Sequence, residues 1–324
     1  MRILEFLLIG MLSQIRIWTS NGVKVVVNDI SIVKNLQLIS APESLNEDHL
    51  ILRRSPTSFA VELLWGGLSL KTKQTPFSID YTGADFVRRR TSVTSELIVR
   101  AFGKGDRTDK LVWDLTSGMG RDSYILASAG YKVIMFERNK VLHALVQDGI
   151  SRLRKTDMSD IASRMILYNL DASIFRGNNS EKFLCDCEDD SVQVPITEVP
   201  DVVYLDPMYP ASSVGRRSSV KKETQILHHL VGHDEGEDEA NNKNLLSTAL
   251  KSGCKRVVVK RPLNALPLCM MQPDFCLEGT GQRFDVYSNN LRERVIFCIL
   301  VRFSIDSFYL CIFPYTSSKP RKTY

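Results

Sequence analysis

The stretch that decides the fold spans residues 111–122 and reads Leu-Val-Trp-Asp-Leu-Thr-Ser-Gly-Met-Gly-Arg-Asp. Its apolar start ends in the carboxylate of Asp114, and a turn with Gly118 and Gly120 then leads into a helical pattern that begins near Arg121. Glycine lets the backbone of such a turn take positive φ angles and approach a ligand closely, and the first amides of a helix lack partners within the helix. The stretch therefore predicts a strand, a ligand-binding turn and a helix.

A second apolar run, residues 132–136, follows Gly130 and ends at Glu137. An acidic residue about twenty positions beyond the first glycine of such a turn is typical of binding to a ribose hydroxyl. The dinucleotide-binding fingerprint requires a third glycine, and this chain has Ser123 in that place. We therefore expect a nucleoside cofactor without a pyrophosphate in preference to NAD.

Strand and helix patterns continue to alternate along the chain. Further strands are predicted at residues 165–170, 202–205, 256–260 and 282–287, with a helix at residues 141–153 between the second and third strands. Such alternation predicts an α/β fold with a doubly wound, mostly parallel sheet of the Rossmann-like type. In that architecture the ligand lies beyond the carboxyl ends of the strands.

The chain divides into three predicted regions. Residues 1–76 carry short apolar runs separated by turn-prone residues, and we expect a small N-terminal lobe. Residues 77–290 form the α/β domain, and residues 291–324 form a C-terminal extension of unknown structure.

Three local patterns refine the predicted α/β domain. Residues 77–81 alternate like a strand, the run Arg88, Arg89 and Arg90 precedes a predicted helix, and the acidic residues 234–239 indicate a loop before a helix at residues 244–251. Arginine forks match phosphate oxygens, although a solvated basic turn explains three adjacent arginines more often.

Composition limits the possible partners and compartments. A net charge of +5 is compatible with an RNA partner without demonstrating one. The seven cysteines form no Cys-x-x-Cys pair, so we expect no metal site and a reducing compartment, cytoplasmic or organellar. The apolar residues 1–12 leave targeting open, and no run reaches the length of a membrane span, so no membrane partner is expected.

A second informative stretch, residues 201–210, reads Asp-Val-Val-Tyr-Leu-Asp-Pro-Met-Tyr-Pro. Its apolar run predicts a buried strand that ends at Asp206. The Asp206 carboxylate and the Pro207 carbonyl can accept hydrogen bonds from an amine, and Tyr209 offers a face on which a base can stack. An ordinary strand exit explains Asp and Pro equally well at this point.

Three segments together resemble the small-subunit ribosomal RNA methyltransferase J family, whose members use S-adenosylmethionine to methylate the exocyclic N2 of a guanine. They are residues 114–122 (DLTSGMGRD), 137–138 (ER) and 204–210 (YLDPMYP). Further similar segments are residues 127–130, 220–223, 256–262 and 281–287. The resemblance covers roughly residues 77–288, and the combination is more specific than the glycine turn alone.

The resemblance implies S-adenosylmethionine as the cofactor and small-subunit ribosomal RNA, or the small ribosomal subunit, as the partner. Together with the strand-end pattern it predicts cofactor contacts at Asp114, Gly118, Gly120, Arg121, Asp122, Glu137, Arg138, Asp171, Ala172, Ser173 and Asp206. The predicted catalytic residues are Asp206, Pro207 and Tyr209. The predicted RNA-binding residues are Arg88, Arg89, Arg90, Lys221, Lys222, Lys260 and Arg261.

Three other functions remain open at this stage. A DNA adenine-N6 or protein-amine methyltransferase would use a similar Asp-Pro turn. An NAD-dependent oxidoreductase would share the glycine turn and Glu137, although the missing third glycine and the Asp-Pro-Met-Tyr turn count against it. A non-enzymatic RNA-binding module would need the basic segments alone.

Overall fold

A computed structural model describes residues 15–18, 24–27, 49–55, 57–58, 60–66, 76–174, 198–208 and 235–288 of the chain. The N-terminal part contains a four-stranded sheet in the order β1-β2-β3-β4. Its strands are β1 (Ile15–Trp18), β2 (Lys24–Val27), β3 (His49–Arg54) and β4 (Val61–Gly66). The β2–β3 pair is parallel and the other two pairs are antiparallel.

The larger sheet has seven strands in the order β10-β11-β9-β8-β5-β6-β7. They are β5 (Leu111–Asp114), β6 (Lys132–Phe136), β7 (Met165–Tyr168), β8 (Val202–Leu205), β9 (Arg256–Pro262), β10 (Phe275–Glu278) and β11 (Gln282–Ser288). Strands β5 to β9 run parallel, whereas β11 is antiparallel to both β9 and β10. This mostly parallel sheet confirms the predicted Rossmann-like fold.

Six described α-helices accompany the strands. They are α1 (Ala84–Thr91), α2 (Leu97–Ala101), α3 (Arg121–Ser128), α4 (Lys140–Leu153), α5 (Ser159–Ser163) and α6 (Glu235–Lys251). Short 3-10 turns lie at Val93–Ser95, Ala172–Ile174 and Leu268–Met270.

Helices cover both faces of the large sheet, which makes it doubly wound. Strand residues alternate between the faces, so Val112 belongs to a buried cluster that includes residues of α1 to α5, while Trp113 belongs to a second cluster with Leu246 and Ala249 of α6. A parallel sheet buried on both faces needs near-continuous apolar strands. All four residues of β5 and of β8 are buried accordingly.

The N-terminal sheet is joined to the α/β part by specific hydrogen bonds. Leu63 of β4 and Phe77 exchange backbone hydrogen bonds of 2.7 and 2.9 Å. The backbone N–H of Val61 donates to Asp148 of α4 at 3.0 Å. Chain boundaries at residues 76/77 and 290/291 remain predictions.

Two local expectations were wrong. Residues 77–81 do not form a strand: only Phe77 makes a bridge, and the Asp80 carboxylate accepts from the Thr82 amide at 2.9 Å, which turns the chain. Within the acidic tract, residues 235–239 are helical and not a loop, because α6 begins at Glu235, where the helix dipole favours acidic residues, and Asp234 lies outside the described residues. The three arginines precede helix α2 as expected, and they also form the last turn of α1, a helix that the sequence analysis did not predict.

Candidate active site

The carboxyl ends of the parallel strands bring most of the predicted site residues to one edge of the sheet. Asp114 ends β5, Glu137 follows β6 and Asp206 follows β8, while Lys260 lies near the end of β9. Asp171 comes three residues after β7. Four acidic groups and a lysine therefore share the edge at which a Rossmann-like sheet binds its ligand.

The glycine turn after β5 has a packed side and an open side. Gly118 and Gly120 both have positive φ angles, 52° and 67°. A Cβ at Gly120 would collide with the hydroxyl of Tyr81 and approach Met135 Cε to 2.8 Å. Among the atoms of the described residues, a Cβ at Gly118 would meet only the Thr116 carbonyl oxygen within 4 Å, at 3.8 Å. Tyr81 and Met135 thus pack against one side of the turn, and the other side, at Gly118, has room for a ligand.

Asp114 is buried at the start of this turn, with 1% of its surface exposed. Its carboxylate accepts a hydrogen bond of 2.5 Å from the Ser123 hydroxyl and one of 3.2 Å from the Thr116 amide. Burial raises the pKa of Asp114 to about 7, although these hydrogen bonds oppose the shift. Ser123, which replaces the third fingerprint glycine, therefore serves to hold Asp114.

Glu137 occupies the equivalent place on the next strand. It is 6% exposed, and its Oε1 accepts from the Asn139 amide at 2.7 Å. Asn139 in turn caps α4 by accepting from the amides of Val141 and Leu142, each at 3.0 Å. Burial raises the pKa of Glu137 to about 7, and the charge of Asp114 adds to that effect. The carboxylate is therefore fixed at the strand end by the start of the following helix.

The segment beyond β7 carries three of the predicted cofactor contacts. Asp171 accepts from the Ser173 amide at 2.9 Å, and Ala172 between them is buried. Arg138 lies 3.7 Å from Asp171 in a partly exposed ion pair. The structure thus places Arg138 beside the predicted cofactor contacts that follow β7.

Lys260 joins two of the predicted site carboxylates. Its Nζ lies 2.8 Å from Asp122 Oδ2 at the start of α3 and 2.8 Å from Asp206 Oδ2 after β8. The Tyr204 hydroxyl donates to the same oxygen of Asp122 at 2.7 Å. Although burial opposes it, Lys260 holds the pKa of Asp122 below its ordinary value. The two carboxylates raise the pKa of Lys260 despite its burial, so it stays charged.

Asp206 is tied to the glycine turn through its backbone. Its N–H donates to Thr116 Oγ1 at 2.6 Å, which links the end of β8 to the turn after β5. The Asp206 side chain is 33% exposed, whereas Pro207 is buried. Partial burial raises the pKa of Asp206, and Lys260 opposes that shift. Tyr209, the third predicted catalytic residue, lies outside the described residues.

The residues predicted to bind RNA fall into different environments. Arg88 is exposed and pairs with Asp85 at 2.7 Å. Arg89 points inward, donating to both oxygens of Glu96 and lying 3.8 Å from Asp122. Their role in RNA binding stays a prediction.

The other predicted RNA contacts differ as well. Arg90 is half-buried in the last turn of α1. Arg261 is 9% exposed and donates from Nε to the Leu266 carbonyl at 2.9 Å, which braces the loop after β9. Lys221 and Lys222 lie outside the described residues.

Sequence reasoning missed the residues that hold this site together. Thr116 and Tyr204 lie inside the segments that carry the family resemblance, but nothing in their spacing indicates that they bind the Asp206 backbone and Asp122. The contact of Lys260 with Asp206, in contrast, could have been predicted from the sequence. The register pairs Leu205 with Val259, so aligning the ends of the two apolar strands brings the next two residues together.

The chemistry of the edge fits a cationic adenosyl cofactor. Asp114 and Glu137 are buried acids whose pKa values are raised because burial penalises their charge. A positively charged ligand relieves that penalty, and Glu137 lies where a ribose hydroxyl is expected. Among the described residues, no group of three His, Cys, Asp or Glu side chains is placed to hold a metal ion. No helix within the described ranges is long and apolar enough to cross a membrane.

Comparison with known proteins agrees with the geometry. A family model of SAM-dependent methyltransferases matches residues 45–289. Ribosomal RNA small subunit methyltransferase J of Coxiella burnetii is 33% identical over 264 residues, 76% of this chain and 94% of the relative. The enzyme of that name from Hahella chejuensis is 37% identical over 217 residues, 66% of this chain and 72% of the relative. The crystal structure of a SAM-dependent methyltransferase from Neisseria gonorrhoeae is similar with a TM-score of 0.54 and 27% identity, over 85% of this chain and 99% of that one.

Proposed function

Because this chain belongs to the ribosomal RNA small subunit methyltransferase J family of S-adenosylmethionine-dependent methyltransferases, we propose that it methylates the exocyclic N2 of a guanine in small-subunit ribosomal RNA. One observation carries the proposal. The hydrogen bond of 2.6 Å from the Asp206 amide to Thr116 holds the Asp-Pro turn beside the glycine turn. Amine acceptors and the predicted cofactor loop therefore share one edge of the sheet.

The cofactor S-adenosylmethionine supplies a methyl group on a positively charged sulfur when it is bound. In this proposal the turn at Gly118 approaches it closely, and Glu137 accepts hydrogen bonds from the ribose hydroxyls. Asp171 and Ser173, which follow β7, lie along the adenine edge. Asp114 contributes negative charge behind the glycine turn.

The guanine amine is a poor nucleophile because its lone pair is delocalised into the ring. Asp206 and the Pro207 carbonyl are the two acceptors that bind its N–H groups and localise that lone pair. Proline has no N–H and a nearly fixed φ, so its carbonyl is held in one direction. Positioning of this kind accounts for a large part of the rate of a displacement reaction.

The product nitrogen must lose one proton after it gains a methyl group. Asp206 accepts that proton in the proposed reaction, because it lies within reach of the amine. Its side chain is 33% exposed, which lets it pass the proton on to water. No further base is needed.

RNA has to present a single guanine to this edge. A base inside a helix must leave the stack before it can be modified, and Tyr209 is proposed to stack on it. The net charge of +5 and the exposed Arg88 favour contacts with phosphates. Such a substrate places the protein in the cytoplasm or in an organelle with ribosomes.

The decisive experiment maps N2-methylguanosine on small-subunit RNA from cells with and without the protein. We expect one guanine to lose its modification in the deficient cells and to regain it when wild-type protein is supplied. The Asp206→Asn protein, tested in parallel, should fail to restore it. A methyl group found instead on DNA adenine N6 or on a protein amine would replace the proposed substrate with that one.

A further inference from the structure

Strands β8 and β9 are joined by a lysine–aspartate pair at each end. At the amino ends, Lys255 Nζ lies 3.1 Å from Asp201 Oδ1, with 85% of the Lys255 side chain exposed. At the carboxyl ends, Lys260 Nζ lies 2.8 Å from Asp206 Oδ2, with 21% of the Lys260 side chain exposed. The first pair is a solvent-exposed salt bridge, whereas the second lies within the candidate site.

Several acidic groups surround the second pair, so Lys260 has an electrostatic effect on Asp206 as well as a structural one. Together with burial, Asp122 of α3 raises the pKa of Asp206, and Asp206 in turn adds to the raised pKa of Asp114 at the end of β5. Burial and all three carboxylates raise the pKa of Tyr204, which lies on β8, the strand that Asp206 follows. Arg89 of α1 approaches Asp122 at 3.8 Å. Among the residues that the structure describes, Lys260 is the cation that contacts Asp206 itself.

We propose that Lys260 is a positioning residue for methyl transfer. Its ammonium binds Oδ2 of Asp206, keeps the carboxylate ionised beside Asp122, and so directs the other oxygen towards the amine of the substrate. The inference rests on the proposed function, because it assumes that Asp206 receives the amine. Lys260 itself stays protonated, so it neither accepts nor donates a proton in the reaction.

The geometry favours this role over the binding of a backbone phosphate. Two carboxylate oxygens lie 2.8 Å from Lys260 Nζ, and the side chain is largely buried. A phosphate would have to displace one of these carboxylates and enter an acidic site. A flexible, exposed lysine such as Lys255 meets the needs of phosphate binding better.

The test follows single-turnover methyl transfer to undermethylated small subunits, at saturating S-adenosylmethionine, across pH. In Lys260→Met the pKa of Asp206 rises, because its cation is gone while Asp122 remains. We expect the acid limb of the rate profile to move up by roughly 1–3 pH units, the effect of one adjacent opposite charge. Lys260→Arg should keep the wild-type limb with a lower rate. Lys255→Met, the matched control, should keep both the limb and the rate.

A rate that falls equally at every pH in Lys260→Met would show a merely structural role and overturn the inference, as would a wild-type profile. If Lys260→Met does not fold, Lys260→Gln, which keeps a hydrogen-bond donor but removes the charge while Asp122 remains, must show the same upward movement of the limb.

Asp206→Asn, run beside these variants, separates the two proposals. Inactive Asp206→Asn with an unmoved limb in Lys260→Met leaves the proposed function standing and removes only the role of Lys260. Fully active Asp206→Asn removes the amine-binding role of Asp206 and the inference with it.

Discussion

The hydroxyl of Tyr81 occupies the space that a side chain at residue 120 would need. It donates to the Met119 carbonyl at 2.9 Å, and a Cβ built on Gly120 collides with it. Gly120 also has a φ of 67°, which other L-residues take up only with strain. A buried tyrosine therefore fixes one side of the turn that is predicted to bind the cofactor.

Gly120→Ala should consequently lower the free energy of unfolding by about 1–3 kcal/mol, the usual strain of a disfavoured backbone conformation. Denaturant unfolding followed by circular dichroism measures this change. Gly281→Ala is the matched control, since a Cβ there meets no atom of the described residues within 4 Å. Equal midpoints for the two variants would contradict the packing argument.

Glu137→Gln should weaken S-adenosylmethionine binding by about 1–3 kcal/mol, the range for a hydrogen bond to a charged group. The amide keeps one acceptor for the Asn139 backbone but replaces the other oxygen with a donor. Calorimetry at pH 8 measures the affinity. Glu278→Gln, on the exposed strand β10, is the control and should bind normally. Unchanged affinity in Glu137→Gln would remove this residue from the ribose site.

The same substitution should stabilise the cofactor-free protein against unfolding at high pH. The pKa of Glu137 is raised from 4.5 to about 7, so the folded state binds its proton more tightly than the unfolded state. Its contribution to stability is therefore present below about pH 4.5 and is lost as pH rises through about 7. At about 1.4 kcal/mol per pKa unit, Glu137→Gln should be roughly 3–4 kcal/mol more stable than wild type at pH 8. At pH 4 the two proteins should unfold alike; a constant difference at all pH values would contradict the shift.

The central sheet could be predicted because its physical requirement is visible in the chain. Strands buried on both faces need uninterrupted apolar runs, and β6 has the bounds that its run indicated. The acidic start of α6 was misread because composition alone suggested a solvated loop. Leu246 and Ala249, further along that helix, pack on the sheet and stabilise the whole element.

The partners of long charged side chains could not be predicted. Arg88 and Arg89 are adjacent in sequence, yet one is exposed and the other contacts Glu96 and approaches Asp122. That choice depends on where α1 lies against α3, which no local pattern specifies. The strand ends predicted which residues meet at the site; the contacts among their side chains needed the tertiary structure.

Arg88→Ala and Arg89→Ala should therefore have separable effects. Loss of a phosphate contact at the exposed Arg88 should reduce the slope of log affinity against log salt by roughly 0.7–0.9, with unchanged stability. Arg89→Ala should instead lower the free energy of unfolding by about 1–3 kcal/mol, because Glu96 loses a charged partner. RNA binding at several salt concentrations and thermal unfolding measure the two effects. An untouched slope in Arg88→Ala would make that residue part of a solvated turn.

Asp206→Asn tests the centre of the proposed chemistry. The substitution keeps the shape of the side chain, removes its charge and replaces one acceptor with a donor. Folding should survive, because the backbone N–H that binds Thr116 is unaffected and the side chain is partly exposed. Single-turnover methyl transfer should fall by roughly 10² to 10³, the effect of losing one preorganised polar contact to a reacting group. If the carboxylate mainly binds the guanine amine, cofactor affinity measured by calorimetry should fall much less than the rate. A folded Asp206→Asn protein with near-normal turnover would exclude amine activation by this residue.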